Sequence, residues 1–161
     1  MKINLCRDLE KEYLHGWANV SLLIPPNYNQ FPDVRLSDYA NLDAVCTANE
    51  CQELRALNIL DYYHMADYDR LVSHWTSKLR HGATITLGGL DIIEVNTALY
   101  NNSISPDEYN TLVFGSSNQN WELKKSLLSI HQVGNLLLGK GLQLVSKEFA
   151  NLRYIITARR P

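Results

Sequence analysis

Cys6-Arg7-Asp8 follows directly on the apolar run Ile3 to Leu5, and is the first place in this chain where reactive side chains sit at the end of a strand-like segment. Open α/β sheets bind ligands at the carboxyl ends of their strands, in turns where glycine normally lets the backbone come close. Here the turn carries an arginine instead. A guanidinium suits a bidentate contact with a carboxylate, and equally a salt bridge to Asp8 or Glu10. Asp38, between Ser37 and Tyr39, can serve as a ligand acceptor or as an ordinary turn residue. Tyr28, Tyr39, Tyr62, Tyr63 and Tyr68 are suited to stacking on a base or sugar, to anchoring loops or to forming an oligomer surface.

Several other chemistries lack their residues. The sequence contains neither a Gly-x-x-x-x-Gly-Lys phosphate loop nor a Gly-x-Ser-x-Gly nucleophile elbow. His15, His64, His74, His81 and His131 have no spacing that gathers three metal ligands on one element. The cysteines Cys6, Cys46 and Cys51 are odd in number and lack a zinc-like pairing, so neither a metal site nor a disulfide framework is expected. A net charge of −2 gives no reason to expect nucleic acid or an anionic membrane as partner. Arg153, Arg159 and Arg160 read as a solvated basic tail. No apolar run approaches the ~20 residues that span a bilayer, and a cytoplasmic protein is expected.

The elements that must position these residues follow from periodicity. With 161 residues, 45% of them hydrophobic, the chain suits one domain over 1–161. Strands are predicted over Lys2 to Cys6, Ala18 to Ile24, Asp33 to Leu36 and Glu53 to Leu60, with a helical stub near Leu9 to Tyr13. Pro25 to Pro32 reads as a loop. Tyr68, Leu71, Val72, Trp75 and Leu79 recur at helical spacing, which predicts a helix over Asp67 to Leu79 ended by Gly82. Ala83 to Leu87 is a further strand, stopped by Gly88-Gly89. Asp91 and Ser105 are placed to cap two more helices. Trp121 to Leu138 has helical spacing up to Gly139-Lys140-Gly141, and two strands, Leu142 to Glu148 and Arg153 to Ala158, close the chain. Helices alternating with strands, then a terminal hairpin, indicate an α/β sheet.

Four segments carry a likeness to a known family: Asn4-Leu5-Cys6, Gly16-Trp17-Ala18-Asn19-Val20, Ala56-Leu57-Asn58-Ile59-Leu60-Asp61-Tyr62, and Trp75-Thr76-Ser77-Lys78-Leu79-Arg80-His81-Gly82. In this order they resemble the class I S-adenosylmethionine-dependent methyltransferases, in particular small members that open Leu-Gly-Cys-Gly and continue Gly-Trp-x-Asn-Val-Asp. The resemblance implies a doubly wound, Rossmann-like sheet of order 3-2-1-4-5-7-6, with S-adenosylmethionine at the carboxyl ends of the first strands. It puts Cys6-Arg7-Asp8 in place of the glycine turn beside the methionine part, and Ser21 in place of the acid that holds the ribose. It puts Asp38 near the adenine amine, Asn58 toward the cofactor, and Asp61, Tyr62 and Asp91 on the substrate side. Two functions stay open: methyl transfer to an unidentified acceptor, or a binding or structural module that has lost the cofactor and serves a protein partner or an oligomer.

Overall fold

The structure, a computed structural model, describes residues 1–23, 28–116 and 122–161. Among the described residues seven strands form one sheet: β1 (Lys2–Leu5), β2 (Ala18–Ser21), β3 (Val34–Leu36), β4 (Cys51–Leu57), β5 (Leu79–Leu90), β6 (Gln143–Ala150) and β7 (Arg153–Arg159). Their order is 3-2-1-4-5-7-6. The strands from β3 to β5 run parallel, and β7 is antiparallel to both β5 and β6. The helices are α1 (Leu9–Glu12), α2 (Tyr68–Lys78), α3 (Ile92–Tyr100), α4 (Pro106–Phe114) and α5 (Ile130–Gly139).

Strand alternation decides what each face of the sheet meets. Ile3, Leu5, Val20, Leu54, Ala56, Ile85, Leu87 and Ile156 point to one side and are buried there with Leu71, Trp75 and Val133 from α2 and α5. Trp75 is fully buried, and its indole N–H reaches the Tyr39 carbonyl at 2.7 Å, so the largest apolar side chain enters the core with its polar atom satisfied. On the other face Cys6, Leu9 and Val34 make a separate small cluster under α1. Toward the sheet centre that face carries Glu53, Arg55, Thr84 and Thr86, around a hollow of about 310 Å³.

Several boundaries differ from the sequence reading, each for a local reason. The fourth strand stops at Leu57 rather than Leu60, because Asn58 takes a left-handed backbone (φ 55) and Leu60–Tyr62 winds into a 3-10 turn. Gly88-Gly89 does not stop the fifth strand, which continues to Leu90. A Cβ at Gly88 would stand 2.7 Å from Leu57 Cδ2, and one at Gly89 2.7 Å from Asp61 Oδ1, so glycine here permits close packing. Gly82 likewise lies inside β5, and α2 gives way to the strand directly at Leu79.

The late helix begins at Ile130, where Ser129 and Gln132 form a reciprocal cap. Trp121, Ile24 and the Pro25-Pro26 pair lie outside the described residues. The hairpin turn Asn151-Leu152 is left-handed at both positions (φ 50 and 65). That conformation suits asparagine, but in leucine it costs roughly 1–2 kcal/mol.

Candidate functional site

At the carboxyl ends of β1, β2 and β4 lies a cleft of about 780 Å³. One wall is α1 and the turn before it, with Arg7, Asp8 and Glu12; the other carries Asn58, Tyr62, Lys124 and Arg153; Thr111 and Leu112 of α4 also line it.

The first wall is built locally. Asp8 stands at the N-cap of α1, yet its carboxylate pairs with Lys11 at 2.9 Å instead of capping the helix. The Lys11 hydrogen bond holds the Asp8 carboxyl below the usual carboxylate range. Glu12 does the capping: its Oε2 accepts from the backbone N–H of Arg7 at 2.7 Å and of Asp8 at 3.0 Å. A carboxylate thus already sits on the two amides of the turn, satisfying donors that a short helix leaves orphaned. The Arg7 guanidinium lies over the Tyr62 ring, its Cζ 3.2 Å from the ring centre. Ser21 closes the cleft floor, but its hydroxyl donates to the Leu23 carbonyl at 3.0 Å.

The second wall is assembled from distant parts of the chain. Asn58 Oδ1 accepts from Arg153 Nη1 at 2.7 Å, while the Asn58 amide donates to the Gly88 carbonyl at 2.7 Å. Behind them Lys124 pairs with Asp61 at 3.2 Å, and both are almost wholly buried. Burial pushes the Asp61 carboxyl up against the opposing pull of Lys124. Burial likewise pushes the Lys124 ammonium down, Asp61 opposing and the nearby positive charges of Arg153 and Arg7 adding to it. Asp61 Oδ1 and the Tyr154 hydroxyl have no hydrogen-bond partner among the described residues, and both face Gly89.

Of the residues singled out in the sequence, Arg7, Asp8, Ser21, Asn58 and Tyr62 therefore meet in one cleft. Four others do not line it. Cys6 is fully buried in the small cluster under α1, taking the Asn4 amide on its sulfur at 2.9 Å, and burial pushes its thiol up to about 12. Asp38 is exposed and accepts from the Ala40 N–H at 2.9 Å, as a turn residue does. Asp61 is fully buried behind the wall. Asp91 is a structural cap: Oδ1 accepts from Ile93 and Glu94 of α3 at 2.9 and 3.0 Å, and Oδ2 from Ile130 of α5 at 2.8 Å.

Sequence reasoning missed Glu12, Lys124 and Arg153. An acid four residues after a helix-initiating aspartate was the available signal for Glu12. Arg153 carried the opposite signal, since it was read with the solvated tail, whereas it lines the cleft and Arg160 is tied to Asn49 Oδ1 at 2.6 Å. No group of three or more His, Cys, Asp or Glu among the described residues is placed to hold a metal ion. No helix there is long and apolar enough to cross a membrane.

No protein-family model and no curated protein matches the chain by sequence. Solved structures do match its shape. A methyltransferase from Methanosarcina mazei described as SAM-dependent superposes with a TM-score of 0.70 at 10% identity, over 99% of this chain and 91% of that one. The 1,6-didemethyltoxoflavin-N1-methyltransferase of Burkholderia thailandensis, with bound S-adenosylhomocysteine, gives 0.65 at 12% identity over 99% and 70%. Magnesium protoporphyrin IX methyltransferase from Synechocystis, also with S-adenosylhomocysteine, gives 0.65 at 10% over 99% and 74%. At such identities the likeness speaks for architecture alone. With its strand order and terminal hairpin, the chain has the α/β fold of S-adenosylmethionine-dependent methyltransferases.

Proposed function

We propose that this chain is an S-adenosylmethionine-dependent methyltransferase whose cofactor lies in the cleft between α1 and the Asn58–Arg153 wall. The observation that carries this reading is the lining of the cleft, where Arg7, Asp8 and Glu12 all contribute from the turn after β1 and from α1. The amino-acid end of the cofactor bears a carboxylate and an ammonium, and a guanidinium and carboxylates lining the same cleft complement both. The volume of about 780 Å³ is within the range of small-molecule and cofactor sites. Tyr62, already stacked under Arg7, fixes the direction of the guanidinium.

When bound, the cofactor supplies an electrophilic methyl group. The work left to the protein is orientation and exclusion of water, which is why a methyltransferase functions without a dedicated nucleophile of its own. Arg7 anchors one end, Glu12 is fixed by two backbone donors, and Leu112 with Leu23 provides apolar cover.

Glu12 also favours a second reading. Its carboxylate sits on the turn amides, leaving them no capacity for a ligand anion, as in a methyltransferase-like module that works without cofactor. Thermal unfolding with S-adenosylhomocysteine separates the two. Ligand at about a hundred times its dissociation constant stabilises a binding protein by about 2.7 kcal/mol. An unchanged melting temperature at millimolar ligand, in folded protein, selects the module.

A further inference from the structure

Arg153 is a half-buried guanidinium that lines the cleft, and its partner among the described residues is a neutral one, the Asn58 amide oxygen. No carboxylate among those residues lies within ion-pair distance of it, whereas the neighbouring Lys124 is matched by Asp61. A guanidinium offers five donors in a planar fork, and a single amide oxygen engages only part of it.

The backbone on both sides of this contact is unusual. Asn58 is left-handed at φ 55, immediately after β4. Leu152, the residue before Arg153, is left-handed at φ 65 and is held there by its carbonyl, which accepts from the Asp91 N–H at 2.9 Å. Non-glycine residues persist in this region when the surrounding structure over-determines them, and they gather at binding sites. Here two such residues aim one amide and one guanidinium at each other across 95 positions of sequence.

We infer that Arg153, oriented by Asn58, receives an anionic oxygen group, a carboxylate or a phosphate, on the methyl acceptor. The term acceptor rests on the methyltransferase reading above; the anion site itself does not. Asn58 is then a positioning residue: it holds one edge of the fork so that the remaining donors present a fixed bidentate face.

The test is an NMR titration of the arginine Nε–Hε signals with sodium phosphate and, separately, sodium acetate, at constant ionic strength. The Arg153 signal is expected to shift saturably, while those of the exposed Arg35 and Arg80 move little. The tighter of the two anions names the group. In the variants the anion is followed on the Asn58 side-chain amide signals, which adjoin Arg153: Arg153→Gln abolishes their response, and Arg153→Lys, which keeps the charge but not the fork, weakens it about tenfold. Asn58→Gly preserves the left-handed backbone and removes the orienting oxygen, so binding weakens while the fold is retained.

Equal small shifts on all arginines overturn the proposal. So does expulsion of the anion by saturating S-adenosylhomocysteine, since the guanidinium would then serve the cofactor. If S-adenosylhomocysteine fails to bind at all, the methyltransferase reading falls, while a saturable Arg153 shift still assigns the anion site.

Discussion

The two walls of the cleft are built on opposite principles. The α1 wall is made within six residues of sequence: Arg7, Asp8, Lys11 and Glu12 satisfy one another through a cap and a surface ion pair. The opposite wall draws on Asn58, Asp61, Gly88, Lys124 and Arg153, which the sheet brings together across long separations. A wall of local contacts can be re-made by a few substitutions without disturbing the core. A wall that shares its residues with the sheet cannot. The local wall is the turn after β1, where the sequence carries Cys6-Arg7-Asp8.

The contrast predicts graded effects. Replacing Lys124 with methionine leaves the buried Asp61 carboxylate without its cation, and urea unfolding is expected to show a loss of about 3–5 kcal/mol at neutral pH. The pH dependence fixes the cause. Burial raises the Asp61 carboxyl above 3.8, so its contribution is present below that value and is lost as pH rises through the folded-state value. Without Lys124 the carboxyl rises further, and the variant regains stability as pH falls from neutral toward the carboxyl range. A loss that stays constant with pH would point to packing alone.

Asp91→Ala is expected to cost about 2 kcal/mol, because three N–H donors at the starts of α3 and α5 lose their acceptor. Methyl transfer, if Asp91 acted on the substrate, would fall far more than stability; on the present account the two fall together. Assaying both quantities on one preparation decides. On the local wall, Glu12→Gln keeps shape and at least one acceptor oxygen, so stability falls by only about 1 kcal/mol. Its larger effect is expected on cofactor affinity, which drops because the negative charge facing the ligand ammonium is gone.

These differences also explain what could be read before folding. The α2 helix and the capping roles of Asp91 and Ser105 were legible because periodicity and cap residues are local signals, whereas the sheet order came only through the resemblance. So was the gathering of Arg7, Asp8, Ser21, Asn58 and Tyr62, through the resemblance. Arg153 was not legible: a basic residue near the chain end looks solvated until β7 is paired with β5 and the Asn151-Leu152 turn points it inward. Asp61 shows the opposite case. The resemblance puts it on the substrate side, whereas the 3-10 turn after Asn58 carries it behind the wall, against Gly89 and Lys124.

Isothermal titration of S-adenosylhomocysteine into the native protein and Arg7→Ala measures whether Arg7 and Glu12 hold S-adenosylmethionine. One-to-one binding to the native protein is expected, with a loss of about tenfold or more in the variant, the scale of a charge-assisted contact. No heat at millimolar ligand with folded native protein, or equal affinity in both proteins, would contradict it.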